Sequence, residues 1–171
     1  MNNILITGYP GVGKTTLINK IKEKLSCKSD GFYTHEKREK GRRTGFYITD
    51  FCGNQMVMAD VNLETQYRVS KYGVNIDAFE KIGVNALERG LKHADIIIID
   101  EIGKMEMFSK KFCSVLMKVL DSEKPVLATI KKRDCKLTAQ IKARHDVKIY
   151  EITVDNRYEM LRTILGQIEK I

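Results

Sequence analysis

The sequence predicts an α/β fold of three layers, in which a mostly parallel central sheet is covered by helices on both faces and carries an antiparallel hairpin as an extension. Two observations lead to this prediction. Short aliphatic runs alternate with amphipathic helical segments at residues 3–25 and again from Asp77 onward. Between these parts lies a stretch rich in aromatic and β-branched residues, which is typical of a hairpin. A length of 171 residues fits one domain, residues 1–171.

The first half of the chain contains one strand-loop-helix unit and the hairpin. Residues 3–7 predict an apolar strand and residues 16–25 an amphipathic helix. Residues 31–35 and 44–49 predict the hairpin strands, which are joined by the charged turn 36–43. A third strand is predicted at residues 55–59, whereas residues 60–76 show no clear pattern.

The second half alternates regularly between helices and strands. Asp77 and Ser109 are suitable N-cap residues for the first two helices of this half. The aliphatic run that ends in Asp100 predicts a strand buried on both faces. Strands are predicted at residues 95–100, 125–130 and 147–154. One helix begins at Asp77, and the helices after it are predicted at residues 109–120, 137–143 and 157–168.

Composition narrows the classes of protein that fit. The chain has 30 basic and 22 acidic residues, a formal charge of +8, which favours polyanionic partners. Its four cysteines form no C-x-x-C pair or Cys/His cluster, so neither a zinc site nor a redox pair is indicated. Reduced thiols, the absence of room for a signal peptide and the lack of a long apolar run predict a cytoplasmic protein without a membrane segment.

Residues 8–15 match the G-x-x-x-x-G-K-S/T pattern of a phosphate-binding loop. The loop lies between a predicted strand and a predicted helix, which is the context that the pattern requires. Its glycines allow main-chain N–H groups to point inward, and the helix N-terminus adds a positive partial charge. The expected phosphate-binding residues are Gly8, Tyr9, Pro10, Gly11, Val12, Gly13, Lys14, Thr15 and Thr16. Lys14 is expected to reach the β- and γ-phosphates of a nucleoside triphosphate, and the Thr15 hydroxyl to ligate Mg²⁺.

A second motif follows the aliphatic run 96–99. Asp100 and Glu101 emerge at the carboxyl end of this strand, which is the edge where ligands bind in open α/β sheets. We expect Asp100 to bind Mg²⁺ through a water molecule and Glu101 to orient or deprotonate the attacking water. We also expect the 125–130 strand to lie between this strand and the first one, with Thr129 sensing a γ-phosphate.

Further cations are needed to offset the charge that develops during phosphoryl transfer. The candidates are Arg38, Arg42, Arg43, Lys104, Arg133 and Arg157. Residues 100–103 also match the D-x-x-G element of GTPases, but no N-K-x-D element for guanine follows. A signalling GTPase is therefore disfavoured.

Taken together, these segments resemble the small P-loop nucleoside-triphosphatase family that includes the cancer-related nucleoside-triphosphatase. The most specific match is Asp100-Glu101-Ile102-Gly103-Lys104-Met105-Glu106, and the similarity covers nearly the whole chain. The resemblance implies a RecA-like P-loop NTPase domain that slowly hydrolyses ATP, GTP and other NTPs with Mg²⁺. It also favours Arg43, Lys104 and Arg157 among the cations. One departure is visible: Lys131 and Lys132 precede Arg133 where members often carry a His or Arg directly after the sensor strand.

The sequence is therefore compatible with three functions. The leading one is a Mg²⁺-dependent nucleoside triphosphatase that uses Glu101, Lys14, Arg43 and Lys104 in catalysis. The second is a nucleotide or small-molecule kinase whose acceptor is unidentified, with the 36–43 hairpin closing over the site. The third is a nucleic-acid-associated ATPase, which only the charge of +8 motivates. The oligomeric state is left open, with a monomer as the simplest case.

Overall fold

One continuous sheet organises the molecule. The computed structural model describes residues 3–133 and 135–170, and the rest of the predicted 1–171 domain lies outside this description. Within these residues the strands are β1 (Asn3–Thr7), β2 (Ser29–Glu39), β3 (Arg42–Asp50), β4 (Gln55–Asp60), β5 (Arg68–Val69), β6 (Tyr72–Val74), β7 (Ile96–Ile102), β8 (Val126–Ile130) and β9 (Val147–Glu151). Their order in the sheet is β5-β6-β4-β3-β2-β7-β8-β1-β9.

The strands from β2 to β9 in this order form the parallel part of the sheet. β8 lies between β1 and β7, with Leu5 opposite Ala128 and Ile98 opposite Leu127. This is the predicted position of the strand that carries Thr129. Because parallel strands end at the same edge, the loop after β1 and the acids of β7 are brought together there.

The antiparallel part of the sheet is the predicted hairpin and its continuation. β2 is long enough to pair with β7 through its first half and with β3 through most of its length. The hairpin turn lies at Lys40 and Gly41, which both have positive φ. β4 and the two short strands β5 and β6 continue the sheet, and β5 and β6 fall in the stretch 60–76 where the sequence showed no pattern.

Helices cover both faces, as predicted. They are α1 (Lys14–Lys24), α2 (Ile76–Phe79), α3 (Asn85–His93), α4 (Lys110–Asp121), α5 (Lys136–Lys142) and α6 (Arg157–Ile168). A π-helical turn, Glu80–Val84, joins α2 to α3, and a 3-10 turn, Glu106–Phe108, precedes α4. None of the described helices is both long and apolar enough to cross a membrane.

Alternate residues of the central strands feed two separate cores, which is what a strand buried on both faces requires. On one face Leu5, Ile97 and Ile99 pack with α2, α3 and α4, and Phe79 of α2 meets Phe112 of α4 edge to face at 5.1 Å. On the other face the neighbouring strand residues, such as Ile6 and Ile98, pack against α1 and α6. The two cores and the sheet between them form the three predicted layers.

Two predicted details differ from the structure. The cap at Asp77 was wrong: the helix begins at Ile76, and the Asn75 side chain accepts a hydrogen bond from the Ala78 N–H at 3.0 Å. Asn75 offers the same capping chemistry two residues earlier. β9 ends at Glu151 rather than at Val154, because the chain turns toward α6 after Ile152 donates its N–H to the Thr7 carbonyl. The cap at Ser109 is confirmed, with a 2.9 Å bond from the Phe112 N–H.

Candidate active site

The predicted phosphate-binding loop joins the carboxyl end of β1 to the first turn of α1. Gly11 and Gly13 adopt φ of +79° and +105°, a region that residues with a Cβ rarely occupy. Lys14 lies back across the loop, and its Nζ donates to the carbonyl oxygens of Gly8 at 3.1 Å and Tyr9 at 3.2 Å. The loop therefore curls around the side chain of Lys14. The carbonyl oxygens of Gly8 and Tyr9 occupy the positions on its ammonium group that phosphate oxygens would take.

A cavity of about 910 Å³ opens over this loop. Val12 differs from its neighbours in the loop, because its side chain packs into the core between α1 and α6. Glu101, Lys131, Lys132 and Arg133 close the cavity from the far side. The remaining lining residues are the predicted ones, Gly8, Tyr9, Pro10, Gly11, Gly13, Lys14, Thr15 and Thr16.

Asp100 lies near the end of β7, directly below the first turn of α1. Its side chain is almost fully buried, and Oδ1 accepts a 2.5 Å hydrogen bond from the Thr129 hydroxyl. The Thr15 side chain lies close enough to this carboxylate to favour its ionised form. Burial raises the pKa of Asp100, and the contacts with Thr129 and Thr15 oppose that rise. Oδ2 is buried and has no hydrogen-bond partner in the described part of the chain.

Thr15 and Asp100 fit a Mg²⁺ ion by their chemistry. Both present hard oxygen ligands, and the unpartnered Oδ2 is a buried atom that a cation would satisfy. Mg²⁺ commonly takes only one or two protein ligands and completes its shell with water and phosphate oxygens. Such a site needs no cluster of three or more His, Cys, Asp or Glu ligands, and none occurs in residues 3–133 and 135–170.

Glu101 borders two cavities: the one over the loop and a second one on the side of the antiparallel strands. The peptide bond that joins it to Asp100 is cis. Burial raises the pKa of Glu101, Lys14 counteracts this, and the neighbouring Asp100 reinforces it. A carboxylate with a raised pKa is a stronger base than an exposed one. Glu101 is therefore placed and tuned to accept a proton beside the phosphate-binding loop.

A third acid, Glu106, lies close to Glu101, and the carboxyl groups of both approach Gly103. A Cβ built on Gly103 would lie 2.7 Å from Glu106 Oε2 and 2.9 Å from Glu101 Oε1. Glu106 is 5% exposed, and burial raises the pKa of its carboxyl group to about 8. The side chain is therefore mostly protonated at neutral pH. Sequence reasoning assigned it no role, since only the D-E-I-G-K-M-E match drew attention to it.

The raised pKa of Glu106 predicts a pH-dependent stability. Between about pH 4.5, the ordinary value, and about pH 8, the folded state binds this proton more tightly than the unfolded state does. The free energy of unfolding should therefore fall as pH rises through this window, by at most about 1.4 kcal/mol per pH unit. Urea unfolding at several pH values compares the wild type with Glu106→Gln, which cannot titrate. A difference between the two proteins that is constant with pH would contradict the prediction.

The second cavity has a volume of about 550 Å³ and lies between the antiparallel part of the sheet and the turn after β7. It shares Thr15, Glu101 and Lys131 with the loop cavity. Lys104 lines it, together with residues of β2, β3, β4 and β5. This edge of the sheet thus faces two cavities, and Glu101 borders both.

Comparison with known proteins assigns the chain to a family. A family model described as NTPase matches residues 3–165. The chain belongs to this NTPase family. A nucleoside-triphosphatase THEP1 from Thermotoga sp. (strain RQ2) is 50% identical over 97% of this chain and 95% of its own length. A cancer-related nucleoside-triphosphatase homolog from Mus musculus is 38% identical over 98% and 96%.

Solved structures agree with this assignment to the NTPase family. The crystal structure of THEP1 from Aquifex aeolicus superposes with a TM-score of 0.89 at 40% identity, covering 98% of this chain and 99% of that one. The solution structure of a human cancer-related nucleoside triphosphatase gives a TM-score of 0.85 at 35% identity, with 99% and 98% covered. The predicted family, the α/β P-loop fold and the enzyme class of nucleoside-triphosphatase are confirmed.

The other predicted site residues of this NTPase are distributed differently from the expectation. Thr129 is completely buried and donates to Asp100, so it positions the predicted metal ligand rather than facing either cavity. Arg43 lies on β3, where Nε donates to the Tyr72 hydroxyl at 3.0 Å and Nη1 to Glu36 Oε1 at 2.9 Å. Arg43 does not line the loop cavity. Both side chains therefore hydrogen-bond neighbouring residues and do not line the loop cavity.

Arg157 begins α6 on the opposite side of the phosphate-binding loop from Glu101. Its Nη1 lies 3.9 Å from where a Cβ on Gly13 would be, and its guanidinium is 5.5 Å from the Tyr158 ring. These residues and Lys20 border a small cavity of about 180 Å³. At the other end of the site Lys131, Lys132 and Arg133 line the loop cavity, and Lys132 also pairs with Glu151.

Proposed function

We propose that the chain hydrolyses ATP, GTP and other nucleoside triphosphates to the diphosphate and phosphate, with Mg²⁺ held by Thr15 and Asp100 and the attacking water aligned by Glu101. The observation that carries the proposal is the meeting of the loop, Lys14, Asp100 and Glu101 at one cavity. Membership of the NTPase family and the names of the relatives support the reaction.

Binding would begin at the loop. Its main-chain N–H groups and the N-terminus of α1 attract the phosphates, and Lys14 would exchange the carbonyl oxygens of Gly8 and Tyr9 for phosphate oxygens. When bound, Mg²⁺ supplies positive charge that offsets the charge of the phosphate oxygens. Asp100 is held for this role by Thr129, which fixes Oδ1 and leaves Oδ2 available.

Hydrolysis then depends on the position of one water molecule. The water oxygen forms a bond to the γ-phosphorus as the bond from that phosphorus to the β,γ-bridging oxygen breaks. Glu101 accepts the proton that the water loses, and its raised pKa makes it suited to this step. The loop N–H groups and Lys14 stabilise the charge that develops on the phosphoryl oxygens.

Low selectivity for the base is part of the proposal. The small cavity beside Gly13 and Thr16 is bordered by the flat side chains of Arg157 and Tyr158, and Tyr158 is 65% exposed. Flat groups of this kind stack on any base, since every base has a π-face. A base placed here would therefore be held by stacking, and the nucleotides would differ little in affinity.

Two further points concern the location of the protein and the alternative of a nucleic-acid partner. A cytoplasmic location is supported by the four cysteines, which are all free thiols. The third reading from the sequence, a nucleic-acid-associated ATPase, still rests on the charge of +8 alone.

The experiment that tests hydrolysis is phosphate release from ATP, GTP, CTP and UTP, each supplied as the only substrate. The four rates are expected to lie within about tenfold of one another, because stacking is tolerant of base identity. Release should stop when EDTA removes Mg²⁺, and the Lys14→Ala variant serves as the background. Release by the wild type that does not exceed this background would overturn the proposal.

A further inference from the structure

We propose that the second cavity binds a phosphoryl acceptor of nucleoside size, so that the enzyme transfers the γ-phosphoryl group to a hydroxyl of this molecule as well as to water. The inference rests on the proposed function, because the donor is the nucleoside triphosphate in the loop cavity. It turns the second reading of the sequence, a small-molecule kinase, into an assignment of a site.

The size of the cavity is the first argument. Its volume of about 550 Å³ falls within the range of about 300–1,000 Å³ that small-molecule sites occupy. A single water molecule takes up about 30 Å³ of liquid volume. Hydrolysis alone thus leaves most of this space without a use.

The position of the cavity is the second argument. It meets the loop cavity at Thr15, Glu101 and Lys131, which places it on the side of the γ-phosphate. A hydroxyl that entered from the second cavity would face the same carboxylate that serves the attacking water. Glu101 could therefore act as the base for either nucleophile.

The chemistry of the walls indicates the kind of molecule. One wall is apolar and is built by Phe46, Met58, Val69 and Met105 from β3, β4, β5 and the turn after β7. A flat ring of low polarity would pack well against it. The antiparallel extension of the sheet contributes most of this wall and so gains a function of its own.

Glu36 lies beside this apolar wall, because it pairs with Phe46 across β2 and β3, and it is a fixed hydrogen-bond acceptor there. Arg43 and Arg38 both hydrogen-bond Glu36 and hold the pKa of its carboxyl group below the ordinary value. An ionised carboxylate only accepts hydrogen bonds, so it selects a ring edge that carries N–H or NH₂ groups. A base packed against the apolar wall would place its N–H edge at Glu36 and its sugar hydroxyl toward Glu101. On this assignment Arg43 is a positioning residue that acts through Glu36.

The transfer step balances without any further reactant. The acceptor oxygen forms a bond to the γ-phosphorus while the bond to the β,γ-bridging oxygen breaks, and Glu101 takes the hydroxyl proton. The products are a nucleoside diphosphate and a nucleoside monophosphate. Slow phosphate release is then the same reaction with water in the place of the acceptor.

The test uses the full chain with Mg²⁺, ATP labelled with ³²P in the γ position, and a mixture of the common ribo- and deoxyribonucleosides as the probe. Anion-exchange chromatography separates nucleoside diphosphate, phosphate and labelled nucleoside monophosphate. The amount of diphosphate is compared with the sum of phosphate and labelled monophosphate. Label in a monophosphate can arise only by transfer. The Lys14→Ala variant, prepared in parallel, shows how much comes from contaminating kinases.

Two tryptophan variants locate the acceptor. Val69→Trp fills the cavity, whereas Val57→Trp is the matched control, because Val57 pairs with Tyr47 across the sheet and does not line the cavity. We expect Val69→Trp to lower the ratio of transfer to hydrolysis by about tenfold or more and Val57→Trp to leave it unchanged. Val69→Phe is a smaller obstruction for use if the tryptophan prevents folding.

Each outcome of this experiment either supports or overturns the proposal. Labelled monophosphate that falls selectively in Val69→Trp supports the proposal. Diphosphate and phosphate in equal amounts, with no labelled monophosphate, would overturn the acceptor site and leave hydrolysis standing. Transfer that is the same in the wild type and in folded Val69 variants would place the acceptor elsewhere. A wild type that forms no diphosphate above the Lys14→Ala background would overturn both proposals.

Discussion

Glu101→Gln is expected to lower the rate of phosphate release by about 10²- to 10⁴-fold, the range that a positioned general base contributes. The amide has nearly the shape of the carboxylate but cannot accept the proton that the attacking water loses. Nucleotide affinity should stay close to that of the wild type, because the loop and Lys14 are untouched. The variant also removes a negative charge beside Lys14, which can only favour binding of a polyphosphate.

Two measurements separate these effects. Single-turnover hydrolysis reports the chemical step, and titration with a fluorescent nucleotide reports affinity. Glu88→Gln is the matched control: Glu88 is 44% exposed on α3, where it pairs loosely with Lys111, and the change should leave both quantities as they are. Near-normal turnover by Glu101→Gln would remove this residue from the base role and leave Asp100 and Glu106, which line the second cavity, as the candidates.

The parts of this fold that the sequence predicted are those encoded by neighbouring residues. A strand, a glycine loop and a helix within residues 3–24 form a local unit, so the pattern and the structure coincide. The aliphatic run of β7 is buried on both faces, and only a central strand accounts for that. β5 and β6 have two and three residues, too few for any periodicity, and they exist because β4 offers an edge on which to pair.

The site residues divide in the same way, into those that a local pattern predicts and those that depend on the tertiary fold. Asp100 and Glu101 were predicted because an aliphatic run ends in two acids. Thr129 lies at the predicted edge, and the pairing of β7 with β8 brings its hydroxyl to Asp100, a contact that no local pattern indicated. Glu106 and the second cavity depend on the fold of β3 and β4 against the turn after β7. No local pattern marks a glutamate as buried or a space between distant segments as open.

Gly31→Ala is expected to destabilise the protein by roughly 4 kcal/mol or more, which belongs to the exceptional end of single substitutions. Gly31 has φ of +142° and pairs with Ile98 where β2 meets β7. A Cβ at this position would lie 1.8 Å from the Ile98 carbonyl oxygen and 2.8 Å from its carbon. These are main-chain atoms, so no side-chain rotation relieves the overlap and the two strands must separate.

The consequence of that separation reaches the active site, because Tyr33 pairs with Asp100 two residues further along the same strands. Gly31→Ala should therefore lose hydrolysis together with stability, as measured by urea unfolding and phosphate release on one preparation. Gly166→Ala in α6 is the control: no atom of residues 3–133 and 135–170 lies within 4 Å of its added methyl group, and a glycine replaced in a helix should stabilise the protein by about 0.5–1 kcal/mol. Equal effects of the two substitutions would show that the junction of β2 with β7 yields easily. A stable Gly31→Ala protein without activity would instead show that the junction serves to position Asp100 rather than to hold the sheet together.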